Sequence, residues 1–439
     1  MKAPTTGSGA SFTLRRASLP ALIHAPLETP PAKNSNRATL GLVFLTLFID
    51  MIGFGIVIPA LPLFAKGSHI GANADQLAWI VGIYSLLQFV FSPLIGRLSD
   101  RIGRRPVLAV SILGTAIGFA VLGAATTVTM LLIGRIIDGI SGGNISTAMA
   151  CIADSTTREE RSRSMGMIGA AFGLGFVIGP ALGGWLLHFG TSVPFYFAAA
   201  LALMNALLVL ARLPETLTPE VRARAREKAS IAEVFRGRTG TITITLLSQI
   251  AGVTGFSVMT ALFAIFCSQR HGLTAPQIGN VFAFVGIVGA LMQGGVVRRL
   301  LRRPIEKPLA VLGTAILAAS MAALAVTPSG SGGWPIAMLL LVCAGISIGN
   351  SLSTPTLNGI ASRSVDPHCQ GTLMGMMQSA GALGRFLGPM LGFGLLRFDA
   401  NDTAAYGRTA FFASAVLLVL DCLLLLFMRV PPPAEESAQ

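Results

Sequence analysis

The segment Gly96–Arg105 reads GRLSDRIGRR and lies between two long apolar runs, centred near Leu87 and Thr115. Each run has about the 20 residues that a helix needs to cross a hydrocarbon core of about 30 Å. The two glycines of the segment permit a very tight return, and its arginines favour the water on one side of a bilayer. The segment therefore predicts a short loop between two membrane helices.

The composition of the whole chain agrees with a membrane environment. Of its 439 residues, 53% are hydrophobic and only 12% are charged, whereas soluble domains have about a quarter charged residues. A soluble core could not hide so much apolar side chain. The 50 glycines fit as well, because helices in lipid associate through small residues.

Runs of this length recur along the chain and predict an all-α membrane protein with twelve transmembrane helices. The first 38 residues have no sustained apolar run and predict a disordered tail, and no cleaved signal peptide is indicated. The predicted spans centre near Gly53, Leu87, Thr115, Gly139, Gly175, Ala202, Val253, Val288, Ala318, Val342, Gly381 and Leu417.

The basic residues are distributed by topology and form no patch for nucleic acid, despite the net charge of +13. An even number of spans places both termini on one side, and most of the 32 Lys and Arg fall on that side. The positive-inside rule therefore predicts cytoplasmic termini. The exceptions are Lys66, Arg270, Arg397 and Arg408 on the other side, with Arg135 and Arg385 inside spans.

An internal repeat divides the spans into two halves of six. Glycines and a proline of the fifth span recur at one constant spacing in the eleventh, which indicates an ancestral duplication. Such halves, with a binding cavity between them near the bilayer midplane, are a plan of secondary transporters. The predicted parts are a tail 1–38, a half 39–213, a cytoplasmic linker 214–239, a half 240–430 and a cytoplasmic tail 431–439.

The loop resembles the loop signature of the major facilitators almost residue for residue, which implies the major facilitator fold. In that family the loop latches the cytoplasmic side shut in the outward-open state. Simple positive-inside anchoring is the alternative, and it explains the arginines but not Gly96 and Asp100. The matching residues are Gly96, Asp100, Arg101, Gly103, Arg104 and Arg105.

The glycines of the fifth span resemble the signature that separates proton-coupled exporters from importers in this superfamily. Their small-xxx-small spacing predicts close helix approach across the interface between the halves, and the proline predicts a kink. Ordinary tight packing is the alternative. The residues concerned are Gly175, Gly179, Pro180 and Gly183, with Gly384, Gly388, Pro389 and Gly392 as their repeats.

An intramembrane basic residue, Arg135, lies in a stretch that resembles the intramembrane arginine motif of the family. Intramembrane charges are functional hypotheses by default. Asp138 lies one turn away on the same face, and the tetracycline exporters do not usually have an acid there. A proton relay and a purely structural salt bridge both remain open.

The first span resembles the tetracycline-exporter group of the twelve-span drug:proton antiporters, and Asp50 falls where those exporters have an essential acid. Protonation of Asp50 in competition with an amphiphilic, cationic substrate would couple export to the proton gradient. A role as a cap or packing partner in the first span is the alternative. Gly118 and Gly289 stand where those exporters have an acid and a histidine. We therefore expect the architecture and the proton coupling of those exporters, but we do not expect tetracycline as the substrate.

Polar side chains at membrane depth are candidates for lining the substrate cavity, although most such residues only bond neighbouring helices. They are Gln88, Asn144, Gln293, Asn350 and Gln378, with Phe54 as an aromatic wall.

The sequence predicts a proton-coupled exporter in a bacterial inner membrane, with protons, lipid and a small molecule as its partners, and a monomer. Proton-coupled uptake and a non-transporting receptor are the alternatives. An enzyme is not indicated, because no Ser-His-acid set, metal-ligand spacing or nucleotide loop occurs. We expect no cofactor and no metal, and the five scattered cysteines indicate no disulfide frame.

Overall fold

A computed structural model describes residues 33–67, 70–156, 171, 174–175, 178–217, 231–235, 239–300, 305–365, 369–399 and 401–428. Its regular secondary structure is helical, and no strand occurs within those ranges, which confirms the all-α prediction. The longer helices are α1 (Lys33–Lys66), α2 (Ala74–Ile102), α3 (Arg104–Gly123), α4 (Val128–Ser141), α5 (Asn144–Asp154), α6 (Val193–Arg212), α7 (Thr239–His271), α8 (Ala275–Leu291), α9 (Glu306–Ala325), α10 (Gly333–Arg363), α11 (Gln370–Leu396) and α12 (Arg408–Leu426).

Ten spans in the described part of the chain are long and apolar enough to cross a membrane, and α4 and α5 together make one of them, Val128–Asp154. The helix α11 has 27 residues, but Gln370, Gln378 and Arg385 make it more polar than the ten. The span predicted near Gly175 lies where the structure describes only some residues, with 178–186 helical. Each of the other predicted centres falls within one of these helices.

The helix ends follow local sequence signals. Asn73 accepts a hydrogen bond from the Gln76 amide at 2.8 Å, and the Gln76 side chain accepts one from the Asn73 amide at 3.0 Å. This capping box satisfies amide groups that a helix leaves without partners at its start. Helix α1 begins at Lys33, before the predicted tail boundary at residue 38, and the rest of that tail and residues 431–439 lie outside the described residues.

The helices pack as two groups. Helices α1 to α6 pack among themselves, with α3 against α4 and α6, and α7 to α12 do the same, with α9 against α10 and α12. Contacts between the groups run mainly through α2 with α11 and α1 with α7. We name the end of the bundle with the Gly96–Arg105 segment the basic end, and the end with Lys66 and Gly407 the opposite end.

The glycines of the fifth span pack inside their own half, which corrects the prediction that they cross the interface between the halves. A Cβ added at Gly179 would lie 2.7 Å from the Cα of Gly55 in α1. Gly388 lies against Ser257 of α7 in the same way. The repeat therefore packs one row of glycines, which we name the glycine ladder, against the first helix of each half. The contact that does cross the halves is made by Gly184, whose added Cβ would meet the backbone of Gly279 in α8.

Because Gly179 faces backbone that cannot rotate away, Gly179→Ala is expected to destabilise the protein by about 1–3 kcal/mol through overpacking. Gly41→Ala is the matched control, because nothing lies within 4 Å of its added Cβ. We expect the detergent-solubilised Gly179→Ala variant to melt several degrees below the wild type, with Gly41→Ala unchanged or more stable. Equal melting temperatures for the two variants would show that a methyl group at position 179 fits without overpacking.

Candidate transport site

Asp50 lies near the middle of α1, in a run that is otherwise apolar. Its side chain is half-buried, and its carboxylate shares a hydrogen bond with the side chain of Asn144, the first residue of α5. Asp138 is another acid that acts on it. The carboxylate of Asp50 thus has an amide rather than a cation as its partner.

Arg135 and Asp138 form an ion pair within α4, with Nη1 and Oδ2 2.9 Å apart and both side chains almost fully buried. Arg135 also donates from Nε to the carbonyl oxygen of Ile80 at 3.2 Å, and its guanidinium lies 4.5 Å from the ring centre of Tyr84. Thr115 of α3 shares a hydrogen bond with Asp138. The pair on α4 is therefore held by two neighbouring helices, α2 and α3.

Tyr84 and Gln88 connect this pair to the other half of the protein. The Gln88 amide donates to the Tyr84 hydroxyl at 3.0 Å and to the carbonyl of Gly142 at 2.9 Å. Its oxygen accepts a hydrogen bond from Nη2 of Arg385, on α11, at 3.0 Å. One buried glutamine side chain thus joins α2 and α4 to the second half.

The cluster contains two acids and two bases from both halves, namely Asp50, Asp138, Arg135 and Arg385, and all four act electrostatically on Tyr84. A single charge at the centre of a membrane helix costs about 2.5–3.5 kcal/mol on insertion scales. Four charges at this depth therefore make the cluster the candidate for a functional site.

At the basic end, α2 runs to Ile102 and α3 begins at Arg104, which corrects the predicted loop: only Gly103 lies between the helices, and the other residues of the segment are helical. Ion pairs within the first half hold this junction together. Arg104 reaches Asp100 at 2.6 Å and Asp154 at 3.0 Å. The carboxylate of Glu215, from the predicted linker, accepts hydrogen bonds from the backbone amides of Arg104 and Arg105 at the start of α3. Gly103 has φ 131°, a conformation that favours glycine. Arg101 and Gly96 complete the segment, with Arg101 exposed.

The second half has a pair in the corresponding place with its charges exchanged. Glu306, the first residue of α9, forms an ion pair with Arg363, the last residue of α10. In the first half, the base Arg104 begins α3 and the acid Asp154 ends α5. The equivalent helix ends of the two halves are therefore joined by pairs of opposite polarity.

The two halves meet at the opposite end. A Cβ added at Gly82 of α2 would lie 2.9 Å from Met390 and 3.2 Å from Phe386, both on α11, and the Gly184–Gly279 contact lies at the same end. A pocket of about 260 Å³ between α1, α7 and α8 also lies there. None of its lining residues belongs to the charged cluster.

Toward the basic end, α11 is less covered by the described residues. The face of α11 with Met390 and Phe386 continues one turn at a time toward Gln378 and Gly375. Gln378 is exposed, and a Cβ added at Gly375 would meet no atom within 4 Å. Among the described residues, the contacts between the halves named so far thus lie at the charged cluster and at the opposite end.

The sequence also shows which family the chain belongs to. A profile described as the Major Facilitator Superfamily matches residues 43–389, which is most of the chain. The chain belongs to the Major Facilitator Superfamily.

Relatives within the superfamily share much of their length with this chain. The class C tetracycline resistance protein of Escherichia coli is 35% identical over 81% of this chain and 89% of its own length. Multidrug resistance protein 2 of Bacillus subtilis (strain 168) is 30% identical over 84% of this chain and 90% of its own. The crystal structure of the human organic anion transporter MFSD10 has a TM-score of 0.68 at 26% identity, covering 89% of this chain and 99% of that chain.

On this facilitator fold, the cluster brings together six of the residues that the sequence analysis singled out. They are Asp50, Phe54, Gln88, Arg135, Asp138 and Asn144, with the ring of Phe54 5.8 Å from that of Tyr84. The sequence analysis missed Tyr84 and Thr115, which are unremarkable in an apolar run, and it placed Arg385 in a span without a role.

The other predicted lining residues lie elsewhere on the facilitator fold. Gln293 follows the end of α8, and Gln378 lies on α11 toward the basic end, and both side chains are exposed. Asn350 of α10 accepts a hydrogen bond from Thr354 at 3.3 Å within its own helix. Among the described residues, no group of His, Cys, Asp and Glu has the arrangement of a metal site.

A cross-half hydrogen bond fastens the opposite end of the facilitator. Lys66, the last residue of α1, donates from Nζ to the Tyr406 hydroxyl at 3.0 Å. Burial raises the pKa of Tyr406 to about 12, so the phenol remains neutral and can accept this bond at any pH used for transport. We name this contact the outer latch.

Tyr406→Phe is expected to weaken the closed state by about 1 kcal/mol, the net value of one hydrogen bond, and so to shift the open–closed equilibrium about fivefold. Thiol labelling of a cysteine placed at Phe64, behind the latch, should accelerate by that factor in a variant lacking native cysteines. The pH dependence of transport should stay unchanged, because the hydroxyl does not titrate in that range. An unchanged labelling rate would show that the contact does not hold the halves together.

Proposed function

We propose that the protein is a proton-coupled secondary transporter that exports small amphiphilic molecules by alternating access. The observation that carries this proposal is the charged cluster of Asp50, Asp138, Arg135 and Arg385, which draws its residues from both halves and lies near the middle of apolar spans. This is the position that substrate and coupling-ion sites occupy in secondary transporters built from repeats.

The direction of transport rests on the relatives. Tetracycline and multidrug resistance proteins cover most of this chain, and their names describe resistance to drugs. A drug or a comparable amphiphilic metabolite is therefore the proposed cargo. Uptake of a metabolite by the same fold is the alternative, and the test below separates the two by direction.

The acid that is absent from the third span has a counterpart on another helix. A Cβ added at Gly118 would lie 2.9 Å from the Cβ of Asp138, so Asp138 fills the space that a side chain at Gly118 would need. We propose that Asp138 supplies a carboxylate here from α4. Gly289 has Ser347 as its neighbour, at 3.0 Å from an added Cβ.

The orientation follows from charge. We place the basic end and both termini in the cytoplasm, since the positive-inside rule assigns the side rich in Lys and Arg to it. The membrane is the bacterial inner membrane. The Lys66–Tyr406 contact at the opposite end then lies on the outer side of the membrane.

In the proposed cycle, the deprotonated carboxylate of Asp50 receives the cationic group of a substrate from the cytoplasm. After the halves rock, a proton from outside binds Asp50 and removes the charge that held the substrate. Arg135 and Asp138 take part in proton transfer, and the glycines that pack against α1 and α7 let these helices move. The residues from Gly96 to Arg105 hold the cytoplasmic side when it closes. Energy comes from the ion gradient and no cofactor is needed.

The proposal is tested with purified protein in liposomes that contain a pH-sensitive dye. Addition of a transported amphiphile should drive proton movement in the opposite direction, and collapse of the pH gradient should stop accumulation of the amphiphile. Proton and substrate moving in the same direction would establish uptake instead. Ligand binding without any movement would establish the receptor.

A further inference from the structure

Arg385 is a buried cation for which the proposed proton cycle has no use. It lies near the middle of α11 with some accessible surface, and its described hydrogen bond runs from Nη2 to the Gln88 oxygen. Among the described residues it forms no ion pair, whereas Arg135 is neutralised by Asp138 at 2.9 Å. A guanidinium has five N–H donors, and within the described residues those on Arg385 have no anionic partner.

A second donor lies beside it. A Cβ added at Gly381, one turn before Arg385, would lie 3.2 Å from Nε2 of Gln249 and 3.4 Å from Nη1 of Arg385. The Gln249 amide of α7 and the Arg385 guanidinium thus both pack against Gly381, which brings the two donor groups close together. Gln249 is half-buried like Arg385. We name Gly381, Gln249 and Arg385 the donor face.

The donor face has an acid as its counterpart on the other half. Asp50, on α1, is half-buried and forms no ion pair within the described residues, and both Asp50 and Arg385 act on Tyr84. Around Tyr84, the two halves therefore present one acid and one base that form no ion pair among the described residues. A molecule that satisfies both charges needs a basic nitrogen and an acidic group.

Resting on the proposed function, we propose that the donor face binds an acidic group of the substrate, a carboxylate or comparable oxyanion, and that preferred substrates are amphoteric amphiphiles. The basic nitrogen of such a substrate competes with the proton at Asp50, which preserves antiport. The acidic group remains beside Arg385 and Gln249 and sets the specificity.

A different role for Arg385, fastening the two halves through Gln88, makes different predictions. Loss of a link between the halves should weaken the binding and transport of all substrates alike. Loss of an anion-binding group should affect only substrates with an acidic group. The ratio between a matched pair of ligands therefore separates the two roles.

The test uses a cationic xanthene dye as its free carboxylic acid and as its methyl ester, which differ in the one group of interest. Binding to the purified full-length protein is followed by fluorescence anisotropy. We expect the wild type to bind the acid about tenfold more tightly than the ester, the factor of one good charge-assisted hydrogen-bonded contact. Arg385→Gln should abolish the preference, whereas Arg385→Lys should retain part of it.

Two controls keep the result interpretable. Gln88→Met removes the link between the halves and leaves the guanidinium in place, so the preference should persist. Arg397→Gln removes an exposed arginine after the end of the same helix and should change nothing. An equal loss of both dyes in Arg385→Gln, or a wild type that binds acid and ester alike, would overturn the inference.

Transport of the same dyes in liposomes is scored separately from binding. Movement of the ester without any preference for the acid would leave the proposed exporter intact and reject the donor face as a specificity site. A binding preference without movement of either dye would support the donor face and reject the exporter.

Discussion

Asp50→Asn is expected to abolish proton coupling while the protein still folds and binds substrate. Asparagine has nearly the same shape and can still hydrogen-bond to Asn144, but it cannot exchange a proton. Exchange of one proton for one substrate cation moves no net charge, so the pH gradient drives it, and one pH unit supplies about 1.4 kcal/mol, which corresponds to roughly a tenfold substrate gradient. In inverted vesicles the variant should lose this accumulation, and substrate-driven proton release should fall to the background.

The matched control is Asp75→Asn, because Asp75 is an exposed acid in the first turn of α2, outside the cluster. It should accumulate substrate like the wild type. Downhill exchange of substrate should persist in Asp50→Asn, which separates loss of coupling from loss of folding. Undiminished substrate-driven proton release by Asp50→Asn would remove Asp50 from the mechanism.

The Arg135–Asp138 pair should give the largest effect on stability. Arg135→Met leaves Asp138 as a buried acid without its cation, and breaking a buried pair in this way costs about 3–5 kcal/mol. The variant should melt far below the wild type in detergent and yield little folded protein. Replacing both members by apolar residues of similar volume is often neutral. The double variant Arg135→Met with Asp138→Leu should thus regain most of the stability.

The double variant also separates the two roles that the sequence left open. If the pair takes part in proton transfer, the double variant folds but accumulates no substrate against a gradient, and this is the result that we expect. Coupling at the wild-type level in the stable double variant would establish that the pair is only structural.

The sequence was informative about the site wherever a polar side chain interrupts an apolar run. Asp50, Arg135 and Asp138 are conspicuous for this reason, and the structure brings all three into one cluster. Arg385 was equally conspicuous, but its partner Gln88 lies 297 residues away, on the other half. A separation of that size is set by how two halves dock and leaves no local pattern.

The glycine ladder shows the same limit. Its spacing predicts that a helix passes close by, and Gly55 of α1 does pass close to Gly179. The spacing contains no information about which helix that is, so the partner was predicted wrongly. Tyr84 was missed for another reason, since a tyrosine in an apolar span becomes notable only when Arg135 lies over its ring.

The exchanged polarity of the Arg104–Asp154 and Glu306–Arg363 pairs has a consequence for assembly. A duplicated chain contains two similar sets of helices, and a helix could dock into the wrong set while the protein inserts. Misplaced against the other half, Arg104 would face Arg363 and Glu306 would face Asp154. Like charges would then meet at both helix ends. Their repulsion would disfavour the docking of a helix into the wrong half.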